Sequence, residues 1–188
     1  MLNQNDLKKG TQILLESQPY EVMETAFMCK GRGSSAVQTR LKNILTGNII
    51  PRTFHPGESI EEAEITKVKI IFLYSHRDKY FFCYENDKSK RFELSSEKLG
   101  SQAQFLKPNL PADGLVFNDE IVNISLPIKI ILKVKEAPPG VKGDRAQGGT
   151  KIAILESGAQ INVPLFVEEG ELIEVNTEKG EYVRRVTE

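Results

Sequence analysis

Lys67–Leu73 and Lys129–Val134 open in the same style, with polar and apolar residues alternating, and the apolar runs of the chain stay strand-sized, as in Ile70-Ile71-Phe72-Leu73-Tyr74. A period of two puts successive side chains on opposite faces of an extended chain, so such stretches bury one face as a sheet. No low-complexity tract or heptad competes with that pattern. The apolar runs also fall far short of the roughly 18 residues that a membrane helix requires. Over 188 residues, short strands separated by turn residues suit an all-β chain of three small barrels better than one large domain.

Taken in order, residues 1–64 read as short strands: Thr11–Leu15, Tyr20–Phe27, Ala36–Leu45 and Ile49–Phe54. Asp6–Gly10, Glu16–Pro19 and Thr46-Gly47-Asn48 are the turns between them. Pro51 predicts an edge for the fourth strand. After His55-Pro56-Gly57 the charge turns acidic with Glu58, Glu61, Glu62 and Glu64, which places a boundary near 64. Residues 65–128 read as a three-strand meander (Ile65–Tyr74, Tyr80–Tyr84, Arg91–Leu94). A capped helical turn at Ser95–Leu99, a second turn at Gln102–Leu106 and a hairpin around Asn118-Asp119 follow. Five strands with a short helix between the third and fourth is the order of an OB-fold. Residues 129–188 repeat the form with strands at Lys129–Val134, Lys151–Leu155, Ala159–Val163, Leu172–Val175 and Tyr182–Val186. A long loop, Glu136–Gln147, follows the first of them, and Pro164 acts as a breaker.

Between Tyr20–Phe27 and Ala36–Leu45 lies Met28-Cys29-Lys30-Gly31-Arg32-Gly33-Ser34-Ser35, a hairpin tip. Gly31 and Gly33 accept positive φ and let a ligand approach the backbone, leaving Arg32 as the long side chain at the apex. From Thr25 to Gly57 there is no Asp or Glu, while Lys30, Arg32, Arg40, Lys42 and Arg52 fall inside. A hairpin that only reverses the chain is indifferent to charge, whereas an acid-free window of bases suits a polyanion such as RNA. Net charge is −1 over the chain, so only this local window speaks for a nucleic-acid partner. Gly-Arg-Gly-Ser-Ser-Ala also echoes a nucleotide-binding loop, but no helical pattern follows it and the fingerprint is incomplete.

Catalytic machinery is not apparent. His55 and His76 sit in turns, neither at zinc-site spacing from Cys29 or Cys83, so no metal or other cofactor is expected. No nucleophile elbow and no acid–base carboxylate pair stands out, and the chain is expected not to be an enzyme. Two cysteines are too few for a disulfide framework, which fits a reducing compartment. The polar start Met-Leu-Asn-Gln-Asn-Asp is unlike a secretory signal, so a cytoplasmic location is expected.

Three groups of residues carry a family resemblance. They are Lys30-Gly31-Arg32-Gly33 followed by Arg40–Gly47; Pro139-Gly140-Val141-Lys142-Gly143-Asp144; and the series Lys151-Ile152-Ala153, Ser157-Gly158-Ala159, Val163–Val167, Gly170-Glu171 and Gly180-Glu181-Tyr182. On these the chain resembles the bacterial elongation factor P family over essentially its whole length. The resemblance implies a monomer of tRNA-like outline, with a KOW or SH3-like barrel over 1–64 and OB-folds over 65–128 and 129–188. It further implies binding to the 70S ribosome beside the peptidyl-tRNA and faster peptide-bond formation at polyproline stalls.

On the same ground the tip Lys30, Gly31, Arg32, Gly33 and Ser34 faces the peptidyl-tRNA, Arg40 and Lys42 face ribosome or tRNA backbone, and Gly143, Asp144 and Arg145 face RNA at the exit site, mRNA included. Family tips carry either a β-lysyl extension on lysine or a rhamnose on arginine. With Arg32 at the tip and Lys30 replacing the family's common proline, a rhamnosyltransferase acting on Arg32, or no modification, stays open. Arg145 stands where the family has threonine. The residues alone also allow a generic RNA-binding β-barrel protein, an elongation factor P-like paralogue, or a scaffold whose arginine hairpin docks on an acidic partner.

Overall fold

The computed structural model describes residues 1–30, 34–138 and 149–186, residues 29, 30 and 34 by their backbone alone. Those residues are all-β apart from short helical turns and form three five-stranded, barrel-like sheets. Two compact units divide them: Met1–Lys69 with Leu94–Gly100 and Asp113–Ile124, and Ile70–Glu93 with Ser101–Ala112 and Ser125–Glu188.

The first sheet contains β1 (Gln12–Leu15), β2 (Gln18–Lys30), β3 (Ser34–Asn43), β4 (Ile49–Phe54) and the two-residue β5 (Glu61–Glu62), in the order β4-β3-β2-β1-β5. Val37, Thr39, Leu41 and Asn43 all point inward from β3, and Leu7, Ile13, Val22, Leu41, Phe54 and Ile60 form the core. The edge position expected of β4 from Pro51 is found. Two local readings are corrected. The Glu16–Pro19 turn is only Glu16-Ser17, both at positive φ (51° and 63°) as a tight hairpin turn requires, and Pro19 lies within β2 opposite Leu14. Proline is tolerated there because it sits at the strand's second residue, where the ladder is only beginning. Alternation in Tyr20–Phe27 is imperfect because the β2–β3 register slips between Val22 and Glu24, so Met23 is an extra, bulged residue.

The second sheet has β6 (Thr66–His76), β7 (Lys79–Tyr84), β8 (Arg91–Ser95), β9 (Pro111–Phe117) and β10 (Glu120–Ser125), ordered β10-β9-β6-β7-β8. Helix α1 (Ser96–Leu99) and a 3-10 stretch over Gly100–Phe105 fall between its third and fourth strands. Asn118 and Asp119, at φ 50° and 63°, make the expected hairpin turn. Ser95 stands at the helix start but makes no capping hydrogen bond, contrary to the capped turn expected. Aromatic rings line one side of the meander, Phe82 packing between Phe72 (5.4 Å) and Phe92 (5.5 Å).

The third sheet, β11 (Lys129–Glu136), β12 (Thr150–Leu155), β13 (Gln160–Pro164), β14 (Leu172–Asn176) and β15 (Glu181–Val186), is ordered β13-β12-β11-β14-β15. Strict alternation on β11 buries Ile130, Leu132 and Val134 and exposes Lys129, Ile131 and Lys133. Pro164, expected as a breaker, is the last residue of β13, paired with Thr150, and the strand ends there. Among the described residues no helix is long and apolar enough to cross a membrane.

Candidate nucleic-acid interface

The sequence-predicted arginine hairpin is the β2–β3 pair, and its register runs from Tyr20↔Asn43 out to Lys30↔Ser34. Gly31, Arg32 and Gly33, which join those two in sequence, lie outside the described residues, as do Gly143, Asp144 and Arg145. Lys30 and Ser34 are described by their backbone pairing alone.

Strand β4 pairs with β3 from Lys42↔Ile49 to Val37↔Phe54 and goes no further. Beyond Val37 the hairpin continues as two strands, Met28 to Lys30 against Ser34 to Ala36. A two-stranded ribbon is marginal by itself, so what holds its root decides how well the tip is placed. Thr39, buried on the inner face, locks β3 to β4 by donating from Oγ1 to the Arg52 carbonyl at 3.0 Å. Phe27 (63% exposed) and Met28 (40%) stand on the arm, apolar side chains facing solvent.

Arg40 and Lys42 lie on the outward face of β3, alternating with buried Leu41. The pairing of strands changes the electrostatics read from the sequence. Glu24 and Glu58 bracket the acid-free window along the chain, yet the fold folds both back onto its bases. The Glu24 carboxylate is 3.7 Å from the Arg40 guanidinium, and that of Glu58 is 3.8 Å from Arg52, which also stacks over Phe54 at 4.9 Å. Glu21 is the strand partner of Lys42. The Glu24–Arg40 pair is exposed and the Glu58–Arg52 pair half-buried, so water screens the first more than the second. A shallow groove of about 420 Å³ runs along this face, lined by Glu24, Thr25, Ala26, Gln38, Thr39, Arg40, Ile49 and Pro51.

One contact was invisible in the sequence. The N-terminal segment makes a 3-10 turn, Gln4–Asp6, whose Asn3 and Asp6 side chains cap each other's backbone amides. From it buried Gln4 reaches across to β3 and donates to the carbonyl of Ser35 at 3.4 Å. No periodicity marks a polar residue buried by a distant strand, so only the fold reveals it.

Two residues past the end of β11, the Pro138 carbonyl accepts from Lys151 Nζ at 2.8 Å. His55 and His76 are exposed, His76 at the end of β6 and not in the turn itself. Cys83 is a buried thiol. Among the described residues no group of three or more His, Cys, Asp or Glu is placed to hold a metal ion.

Two family descriptions match the chain: "Elongation factor P (EF-P) KOW-like domain" over residues 3–60 and "Elongation factor P, C-terminal" over residues 130–185. Elongation factor P of Crocosphaera subtropica is 40% identical over 187 residues, covering 100% of both chains. That of Moorella thermoacetica is 40% identical over 185 residues, 98% of this chain and 100% of the other. Among solved structures, eukaryotic translation initiation factor 5A from Methanococcus jannaschii has a TM-score of 0.50 at 14% identity, over 67% of this chain and 90% of that one, a likeness of fold. The family matches, on a chain built of barrel-like sheets, place it among the β-barrel translation factors. The chain belongs to the elongation factor P family and is a translation elongation factor.

Proposed function

We propose that this factor binds the ribosome beside the peptidyl-tRNA and promotes peptide-bond formation where consecutive prolines stall it, with Arg32 as the residue that carries the effect. The observation behind the reading is the β2–β3 arm. It runs past the last residue supported by β4, carries Arg40 and Lys42 on the outward face of its base, and continues in sequence to Arg32. A guanidinium keeps its proton at physiological pH, so Arg32 pairs with or stacks on the acceptor end and does no proton transfer. Its contribution is positional: a poor substrate such as peptidyl-proline is held near its attack geometry, which lowers the entropic part of the barrier. No group of this chain then takes part in bond making, and the chemistry is the ribosome's.

In the same reading Lys30, Gly31, Gly33 and Ser34 shape the tip, and Arg40 and Lys42 neutralise phosphates behind it. The loop with Gly143, Asp144 and Arg145 touches RNA at the exit site. Residues 1–64, 65–128 and 129–188 act as three domains of a cytoplasmic monomer, and a rhamnosyltransferase is the enzyme class suited to modifying Arg32. Intact-mass measurement of protein from its native host decides the last point, a mass equal to the plain sequence excluding the sugar.

The test is in vitro translation of a Pro-Pro-Pro reporter beside a proline-free control. Losing one charge-assisted contact costs about 1.5–3 kcal/mol, roughly ten- to a hundredfold in rate. Arg32→Ala should therefore bind ribosomes yet fail on the polyproline template, and Arg32→Lys should rescue poorly because the planar fork is gone. Full activity of Arg32→Ala on that template would overturn the proposal.

A further inference from the structure

We propose that Gln4 is a positioning residue that fixes the root of the arginine arm, so that the N-terminal 3-10 turn, and not the hairpin alone, sets where Arg32 is held. Its premise that the placement of Arg32 matters rests on the function proposed above.

Three observations carry it. First, among the described residues the arm has no third strand: the β3–β4 pairing stops at Val37, and beyond it β3 has β2 as its strand partner. Cross-strand hydrogen bonds of a lone ribbon fray easily, and its direction is free to swing about the last supported residue. Second, Gln4 meets β3 at Ser35, two positions past that residue, and makes a forked donation from Nε2 to the Ser35 carbonyl (3.4 Å) and the Ser35 hydroxyl oxygen (3.5 Å). A carbonyl only accepts, so the amide group facing it must be the nitrogen. Each bond is long and weak alone. Their value is geometric, since they tie the ribbon to a part of the chain 31 residues away.

Third, the turn that carries Gln4 is itself rigidly held. Leu2 exchanges both backbone hydrogen bonds with Ile60 (2.7 and 3.0 Å), and Leu7 is buried in the core of the first sheet. Between them Asn3 Oδ1 accepts from the Asn5 amide at 3.0 Å and Asp6 Oδ2 from the Asn3 amide at 2.9 Å, a reciprocal cap. Gln4, only 6% exposed, is thus a long polar side chain held at its backbone and at its amide, and aimed at a strand that has, among the described residues, no second strand partner there. A functional group is positioned well only if the residues behind it are locked. A misplacement of about 1 Å at a reacting centre can cost a hundredfold in rate.

The experiment uses the full chain with Gln4→Met, which keeps length and apolar contact but has no donor, and Gln4→Glu, an isostere whose carboxylate cannot donate to a carbonyl. Hydrogen exchange of segment 27–36 is read by mass spectrometry, together with thermal melting, ribosome affinity and the rate of Pro-Pro-Pro synthesis at saturating factor. In both variants exchange of 27–36 should quicken about tenfold while β1 is unchanged, as expected for local opening of the arm. Ribosome affinity should stay within about twofold, and the saturated rate should fall roughly three- to tenfold, the split that marks lost positioning and not lost binding. Unchanged exchange in 27–36 overturns the proposal whatever the translation assay shows, and so does quickened exchange with an unchanged rate when Arg32→Ala is inactive. Arg32→Ala in parallel keeps the two ideas apart: if it is fully active, the assigned role of Arg32 fails, and exchange alone still decides whether Gln4 braces the arm. Should Gln4→Glu melt early, exchange and rate in Gln4→Met decide the question.

Discussion

Asn123 donates from Nδ2 to the main-chain carbonyl of Ile44 at 2.8 Å, and its own Oδ1 accepts from the Ile124 amide, also at 2.8 Å. All three residues are buried and belong to the first compact unit, so a side chain of β10 satisfies a carbonyl in the turn that follows β3. Buried polar groups must be paired, and a lost partner exposes the remaining group's full desolvation cost. Asn123→Leu should therefore destabilise the protein by about 1–3 kcal/mol. Asn123→Asp should do at least as much, since a carboxylate cannot donate to a carbonyl. Urea denaturation measures both, and an unchanged midpoint for Asn123→Leu would show that the bond contributes nothing.

A carboxylate between two cations gives the third sheet an acid-sensitive contribution to stability. Glu174, 7% exposed, receives a hydrogen bond from Arg184 Nε at 2.8 Å and lies 3.1 Å from Lys129 Nζ. Arg184 first and Lys129 second hold its carboxyl below the ordinary value of 4.5. The folded chain thus keeps Glu174 ionised at a pH where the unfolded chain has begun to protonate it. Its stabilisation is complete above 4.5 and is lost as pH falls through the lowered folded value. Glu171, held low mainly by the Glu168 amide and then by Arg185, acts in the same direction. Thermal melts from pH 7 downward should show Glu174→Gln less stable than wild type at neutral pH, the gap closing in acid. A gap that stayed constant or widened in acid would refute this sign.

Neighbouring residues on β11 should respond very differently to the same cut. Leu132 is fully buried and paired with Ile173, itself fully buried on β14, while Ile131 faces out at 45% exposure. Leu132→Ala leaves a cavity in a close-packed core and should cost about 2–5 kcal/mol. Ile131→Ala removes exposed surface and should stay within about 0.5 kcal/mol. Equal effects in chemical denaturation would mean that the alternation of β11 does not determine burial.

That alternation is also why so much of the fold is legible in the sequence. Strands with one wet face print a period of two, which β11 and β13 follow, whereas β14 buries three residues in a row. Elements that depend on pairing escape. Strand β5 is two residues long and exists because β1 offers Ile13 and Leu14 as partners. The bulge at Met23 is a property of register between strands, which no single strand encodes. Glu16-Ser17 lacks the glycine or asparagine that usually announces a tight turn, so its extent is not evident from residue types. At the site, the bases of β3 are readable as residue types, but their acidic partners are not, because Glu24 meets Arg40 only through the hairpin register.

The Glu24–Arg40 pair yields the last prediction, which tests whether the outward face of β3 meets phosphates. Both side chains are more than half exposed and 3.7 Å apart, a pair worth about 0–1 kcal/mol to stability. If Arg40 serves only the fold, Arg40→Ala should do nothing to ribosome binding. If it neutralises a phosphate, each of Arg40→Ala and Lys42→Ala should lower the slope of log affinity against log salt by about 1, and the double variant by about 2. Glu24→Gln then separates the roles further. It removes the internal competitor for Arg40 without touching a base, so ribosome affinity should rise at low salt while melting temperature barely moves. Binding measured across a salt series on 70S ribosomes decides the matter. Unaltered slopes in the double variant would show that these two cations do not meet RNA and that the basic face of β3 is only a solvated surface.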